Sequence, residues 1–276
     1  VSERKAIRTG RNLPLALAVS VALGGLALIT LFTLKATFLC LVAAAVGVAL
    51  WELSRALGPR GIALPLPPIA AGGVAMLALA YWSGEQAALA AFAVTVVVLL
   101  AWRLRGGAAG YVRDLTAGVF ALAYLPFLAL FVPLMLARPD GSRRTLIFVA
   151  LAVCSDVGGY FAGILFGRHP MAPGISPKKT WEGFAGSVLI GVAGGAILLH
   201  ALLRGHVWQG VLLGAAAVVA ATLGDLVESL IKRDLEIKDM GSVLPGHGGV
   251  LDRIDAMLVV APVVWLLLTV FIPHSR

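Results

Sequence analysis

Polar residues are sparse along most of this chain and gather at a few places. Between them lie apolar runs of roughly 17–25 residues, long enough as helices to cross a ~30 Å hydrocarbon core. Nine runs are read, at about Leu13–Phe32, Ala36–Leu53, Leu64–Trp82, Ala87–Trp102, Leu115–Leu136, Leu146–Phe166, Phe184–Leu203, Val207–Leu230 and Val250–Ile272. They are continuous in Ala, Leu, Val and Gly and lack the alternation of a membrane barrel, so helices are the expected elements. The third and fourth are short, and the division between them is the weakest. The pattern predicts an all-α, polytopic transmembrane protein of about nine spans.

Polarity is uneven along this framework. Residues 1–144 hold about five spans joined by short connections such as Arg105–Gly106–Gly107 and the Pro-rich Leu64–Pro68. Residues 145–276 hold the other spans and two long polar segments, Gly167–Gly183 and Ile231–Gly249. Long loops in compact proteins usually carry function, so the chemistry is expected in the second half. No repeat period or low-complexity linker stands out.

Composition strengthens the membrane reading. Apolar residues make up 60% of the 276 and charged residues 13%, with a mean hydropathy of +0.96. A soluble domain of this length would need far more charge to cover its surface. Charge placement sets a direction. With the N-terminus inside, cytoplasmic segments hold Arg4, Lys5, Arg8, Arg11, Arg55, Arg60, Arg103, Arg105, Arg113, Arg168, Lys178, Lys179, Lys232, Arg233, Lys238 and Arg253. Outer segments hold only Lys35, Arg138, Arg143, Arg144, Arg204 and Arg276. The prediction is a cell-membrane protein with a cytoplasmic N-terminus. The first run exceeds a signal-peptide core of about 7–15 residues and is expected to be retained. The chain opens on Val1, which leaves its natural start open. The net charge of +8 reflects this topology and contact with anionic membrane lipids, not nucleic-acid binding, since no basic stripe interleaved with aromatics lies outside the loops. Cys40 and Cys154 fall inside spans and read as small buried apolar residues, neither a disulfide nor a metal pair. His169, His200, His206 and His274 carry no expected chemistry.

Candidate chemistry begins with the scarce acids. Glu52, Asp156, Asp225 and Glu228 lie within or at the edge of spans, where a carboxylate costs at least ~2.5–3.5 kcal/mol and is a functional candidate if it faces a cavity. Glu52 and Asp156 read equally well as helix–helix contacts. Asp225 lies roughly 10 Å below its helix end, and Glu228 and Ser229 share its face. Beyond it runs the densest polar stretch, SLIKRDLEIKDMGSVLPGHGGVLDRID over Ser229–Asp255. Lys232 and Arg233 alone could be flank charges, but Asp239, His247, Asp252, Arg253 and Asp255 crowd the same connection. Glycines around His247 free the backbone to turn N–H groups toward an anion, and the last span begins there with its positive dipole end. Asp252 and Asp255, opposite Asp225, call for a compensating cation, and Mg²⁺ held by carboxylates and substrate phosphates fits. The second loop reads SPKKTWE over Ser176–Glu182: Lys178 and Lys179 can bind phosphate, and Ser176–Pro177 resembles a helix start. Carboxylates with Lys and Arg point to phosphoryl or nucleotidyl transfer. No P-loop, Rossmann fingerprint or Ser/His/Asp arrangement is present.

These residues resemble a known family, the bacterial phosphatidate cytidylyltransferases. The matching pattern is Ser229, Lys232–Arg233, Lys238–Asp239, Pro245, His247–Gly248–Gly249, Asp252–Arg253 and Asp255, together with Ser176–Gly183, the Asp156 helix and Gly224–Asp225. The likeness is strong over Asp156–Asp255, while the first five spans match only in layout. Ser187 departs from it, standing where a second glycine is expected after Gly186. The resemblance implies a homodimeric membrane enzyme that joins phosphatidic acid to CTP and releases pyrophosphate. It implies Mg²⁺ on Asp225 and Asp252, and K⁺ as a neighbouring cation. By carry-over, Lys178, Lys179, Lys232 and Arg233 handle phosphates, and His247 with Gly248 and Gly249 shapes the CTP pocket.

Two other readings use the same residues. A transporter of an anionic solute would couple through Asp225 and Asp156, but it predicts polar groups on both sides of the membrane, whereas these cluster at the cytosolic end. A CTP-dependent lipid kinase would yield CDP and a phospholipid instead of pyrophosphate and a CDP-lipid.

Overall fold

The computed structural model describes residues 13–243 and 248–273. The helices are α1 (Leu13–Phe32), α2 (Lys35–Leu57), α3 (Leu66–Trp82), α4 (Glu85–Leu104), α5 (Tyr111–Leu122), α6 (Phe131–Leu136), α7 (Gly141–Phe166), α8 (Trp181–Leu203), α9 (Val207–Asp234) and α10 (Leu251–Phe271). Each expected apolar run is helical. Among the described residues, seven helical stretches are long and apolar enough to cross a membrane; α3 and the apolar stretch Val21–Phe32 of α1 are shorter. The chain is thus a polytopic helical membrane protein.

The breaks have local causes. Pro59 lies in a 3₁₀ turn at Gly58–Arg60 after α2, and Pro67 sits in the first turn of α3, where a missing N–H costs nothing. Gly84 takes φ +84° between α3 and α4, a region open to glycine. α5 and α6 form one rod interrupted by a π-helical turn at Ala123–Phe127, which holds Pro126. A proline inside a helix removes a backbone donor, and the wider turn accommodates it.

Two apolar cores form, and both draw on residues on either side of position 144. One joins α2–α5 with Leu235, Met240, Leu251 and Leu258. The other joins α7, α9 and α10 with Leu31, Phe38, Val132, Met135 and Leu136. Small residues bring α7, α8 and α9 together: a Cβ on Gly158 would lie 2.5 Å from the Gly186 carbonyl oxygen. Ser187, the departure from the expected glycine, donates from Oγ to the Ser155 carbonyl at 2.6 Å within this contact. The C-terminal end of α10 is closed by buried Arg144, which donates to the carbonyls of Leu268 (3.0 Å) and Ile272 (2.8 Å) and pairs with Asp140. A cation at that end also complements the helix dipole.

Two expectations are corrected. The helical fold carries one short antiparallel hairpin between α7 and α8, made of β1 (Pro170–Ala172) and β2 (Ser176–Thr180). Ser176–Pro177 therefore opens a strand, not a helix. α8 starts at Trp181, with Thr180 as its N-cap accepting from the Gly183 amide at 3.1 Å. Cys40 is exposed on the surface of the chain instead of buried; it and Cys154 are both free thiols.

Candidate active site

The hairpin lays SPKKT beside α9. Glu182, in the first turn of α8, fixes its base by accepting from the amides of Arg168 (3.1 Å) and His169 (3.2 Å) and from the His169 ring. His169 thus has a structural partner that its sequence context did not announce. Arg233 ties the far end, donating to the Ile175 carbonyl at 3.3 Å.

From this platform Lys179 reaches Asp225, with Nζ 2.5 Å from Oδ2. The pair lies in a cavity of ≈ 620 Å³ between α7, α8, the hairpin and α9. Lys178, Asp156 and Arg253 line it together with Tyr160, Phe161 and Phe184. Gly224 allows α10 to close on α9, since a Cβ there would meet the Ala256 Cα and the Asp255 carbonyl at 2.8 Å. That contact sets Asp225 beside the first turns of α10.

A second cluster sits where α9 meets α10. Lys232 pairs with Glu228 one turn back and with Asp252 Oδ1 at 2.9 Å. Asp252 Oδ2 accepts from the amides of Met240 (3.0 Å) and Gly249 (2.9 Å). Asp255 is buried beside Glu228. Buried Tyr124, on the π turn of the first half, lies in the field of Asp255, Glu228 and Asp225, and its hydroxyl has no hydrogen-bond partner among the described residues.

The amides at the start of α10 do not await an outside anion. Those of Val250 and Leu251 go to the two oxygens of Glu52 in α2, at 3.0 and 2.9 Å. The amides of Gly249, Val250 and Leu251 are thus taken by the protein's own carboxylates, while Gly246 and His247 of the expected anion-facing turn lie outside the described residues. The sequence marked Glu52 as an intramembrane acid but did not name its partners.

The other expected residues scatter more. Ser176 is half-buried in β2, opposite Ala172. Ser229 is half-buried on α9 and absent from the cavity wall, and Lys238 is exposed. Asp239 lines a separate ≈ 300 Å³ cavity with Trp51 and Arg55. Gly248 takes φ +87°, with Asp252 against its open face. His247 and Pro245 lie outside the described residues.

The metal expectation needs restating. Among the described residues no three Asp, Glu, His or Cys side chains converge as a cage. Asp225, Asp252 and Asp255 are therefore not assembled as three ligands, because Lys232 and two amides hold Asp252 while Asp255 is buried. Lys179 pairs with Asp225 and Lys232 with Asp252, so two of the three carboxylates already have a cation beside them. A Mg²⁺ needs only one or two carboxylates when phosphates and water complete its shell. Asp225 meets that need: it faces the cavity, and its Oδ1 takes no hydrogen bond among the described residues. Asp252 meets it by exchanging Lys232.

The profile of the cytidylyltransferase family matches residues 15–271. The chain is 43% identical to a Mycobacterium leprae protein named phosphatidate cytidylyltransferase, over 97% of this chain and 91% of that protein. It is 40% identical to one of the same name from Mycobacterium bovis, over 95% and 90%. A Staphylococcus epidermidis protein so named is 39% identical over 48% of this chain and 51% of its own length. The chain belongs to the cytidylyltransferase family.

Proposed function

We propose that this cytidylyltransferase-family enzyme joins CTP to phosphatidic acid, giving CDP-diacylglycerol and pyrophosphate. The observation that carries the reading is the cavity holding Lys179 and Asp225. Its lysines and arginine suit phosphate, and its aromatic side chains suit an acyl-bearing ligand. The names of the similar proteins point the same way.

The chemistry follows from the substrates. The phosphate of phosphatidic acid is already a nucleophile. One of its oxygens attacks the α-phosphorus of CTP in line and forms the new P–O–P link. The bond from that phosphorus to the β-phosphate's bridging oxygen breaks, and pyrophosphate leaves with the electron pair. Lys178 and Lys179 bind phosphate at the cavity, Lys179 trading its carboxylate partner for substrate. Lys232 and Arg233 offset the charge on the leaving group. Asp225 and Asp252 would hold Mg²⁺, which when bound neutralises phosphate charge, and Asp255 would orient them. K⁺ nearby and a homodimeric assembly are carried over from the family resemblance. Catalysis is then positioning plus charge neutralisation, with no covalent enzyme intermediate.

The same proposal includes nine spans, a cytoplasmic N-terminus and a site opening to the cytoplasm at the cell membrane, with the chemistry in 145–276. Its support is the excess of Lys and Arg on one set of connections. Cysteines placed at exposed Ser242 and exposed Arg143, in a background lacking Cys40 and Cys154, should label from opposite sides with an impermeant reagent. Labelling of both from one side ends that topology.

The direct test of activity uses purified protein, phosphatidic acid, Mg²⁺ and CTP labelled separately at the α- and γ-positions. The α-label should enter lipid and the γ-label should leave as pyrophosphate. Transfer of the γ-label to lipid would identify a lipid kinase instead. Inversion at a chiral α-phosphorothioate is expected; net retention would establish a cytidylyl-enzyme.

A further inference from the structure

Glu52 is a carboxylate of α2 that is 1% exposed and sits 198 residues before the backbone it binds. Its two oxygens take separate amides, Val250 N–H at 3.0 Å and Leu251 N–H at 2.9 Å. These are the donors that the start of a helix leaves without partners. The adjoining chain is packed onto the same group. A Cβ at Gly249 would fall 2.8 Å from Oε2, and one at Gly241 would collide with Oε1. Glu52 thus holds two strands of one loop, at Gly241 and at Gly249–Leu251. Asp252 draws both of its amide donors, Met240 and Gly249, from those strands.

We infer that Glu52 is a positioning residue for Asp252: it fixes the start of α10 so that the Asp252 carboxylate faces Lys232 and the phosphate-transfer site. This rests on the reading above for the reaction served, though the clamp is a property of the chain alone. The role gives the first five spans a purpose, since α2 is braced in the first-half core by Leu50 and Leu53 on either side of Glu52. It also explains why a costly buried anion is tolerated there: two charge-assisted hydrogen bonds and the positive end of the α10 dipole compensate it.

Glu52→Gln keeps the size of the side chain but sets an NH₂ donor against one of the two amides. Hydrogen exchange of the 248–252 segment, followed on purified protein without substrate, should quicken in this variant while the spans stay protected. Turnover with CTP and phosphatidic acid should fall about 10–100-fold, the range for residues that orient a catalytic group, with the fall in kcat and little change in KM for CTP. Gly241→Ala should reproduce the loss, because its methyl displaces the same carboxylate. Combined with Glu52→Ala it should add little to the effect of Glu52→Ala alone. Unchanged exchange together with wild-type kcat in Glu52→Gln would overturn the inference, as would additive losses in the double variant. A wild-type protein with no cytidylyl transfer would count against the proposed function instead, and the exchange measurement would still decide the clamp.

Discussion

Asp114 and Asp225 are both carboxylates inside membrane-spanning stretches with basic partners, yet they do opposite things. Asp114, at the start of α5, is 2% exposed. Its Oδ2 takes Arg103 at 2.7 Å, and its Oδ1 takes Arg113 at 3.1 Å and the Ala63 amide at 3.2 Å. Both oxygens are satisfied and Asp114 is not part of the cavity around Lys179, so the group latches α4, α5 and the loop before α3. Asp225 has Lys179 on one oxygen and the ≈ 620 Å³ cavity before the other. Intramembrane charge alone therefore does not mark a reactive site; charge left partly unsatisfied beside a ligand-sized space does.

The largest contrast is expected from neutralising each acid. Asp225→Asn and Asp252→Asn should lower turnover at least ~10²–10³-fold, the scale for removing one electrostatic element of a transfer site, while the protein still inserts. Asp114→Asn should leave turnover per folded molecule intact but cost about 1–3 kcal/mol of stability, because half-buried Arg103 and exposed Arg113 lose their shared anion. Kinetics together with melting in detergent separate the two. Near-normal rates for Asp225→Asn across a Mg²⁺ titration would remove it from the site.

A smaller contrast comes from the cations. Lys179→Ala or Lys178→Ala should raise KM for CTP or lipid, or lower kcat, by about tenfold, as one phosphate contact is worth roughly 1.5–3 kcal/mol at most. Arg105→Ala should do neither. Its guanidinium lies over the Trp102 ring, 5.0 Å from the centroid, at the edge of the first half. Arg103 would be a poor control despite its similar place in the sequence, because it is the half-buried partner of Asp114. Equal effects from Lys178 and Arg105 would reduce the SPKKTWE lysine to a flank charge.

The sequence made this division only half visible. Apolar runs placed the helices well, with α1 ending at the expected Phe32 and α9 starting at the expected Val207, because hydrocarbon thickness and backbone satisfaction leave few alternatives. The density of charge in Ser229–Asp255 marked the connection in which Lys232, Asp252 and Asp255 come together. What stayed hidden depends on distant partners. Glu52 read as an ordinary contact because its donors, Val250 and Leu251, lie at the far end of the chain. Ser176–Pro177 read as a helix start because both residues suit that position; only pairing with Pro170–Ala172 makes the segment a strand and moves the cap to Thr180. Sequence spacing also did not reveal that Lys179 pairs with Asp225 and Lys232 with Asp252.

The least effect is expected where the contact is polar but uncharged. Ser187 gives α8 a hydroxyl at a close helix crossing, bonded to the Ser155 carbonyl at 2.6 Å. Hydrogen bonds of this kind between membrane helices average about 0.6 kcal/mol, since the alternative state also finds partners. Ser187→Gly removes the bond but also removes bulk from a crossing where α7 and α8 already touch at Gly158 and Gly186. The two changes oppose each other, because closer backbone approach recovers dispersion contacts. Melting in detergent should therefore shift by no more than about 2–4 °C, the equivalent of ~1 kcal/mol for a chain of this size. A loss as large as that from Asp114→Asn would mean that the Ser187 bond, not the small-residue packing, holds α8 against α7. The cavity wall between those helices would then depend on a single hydroxyl.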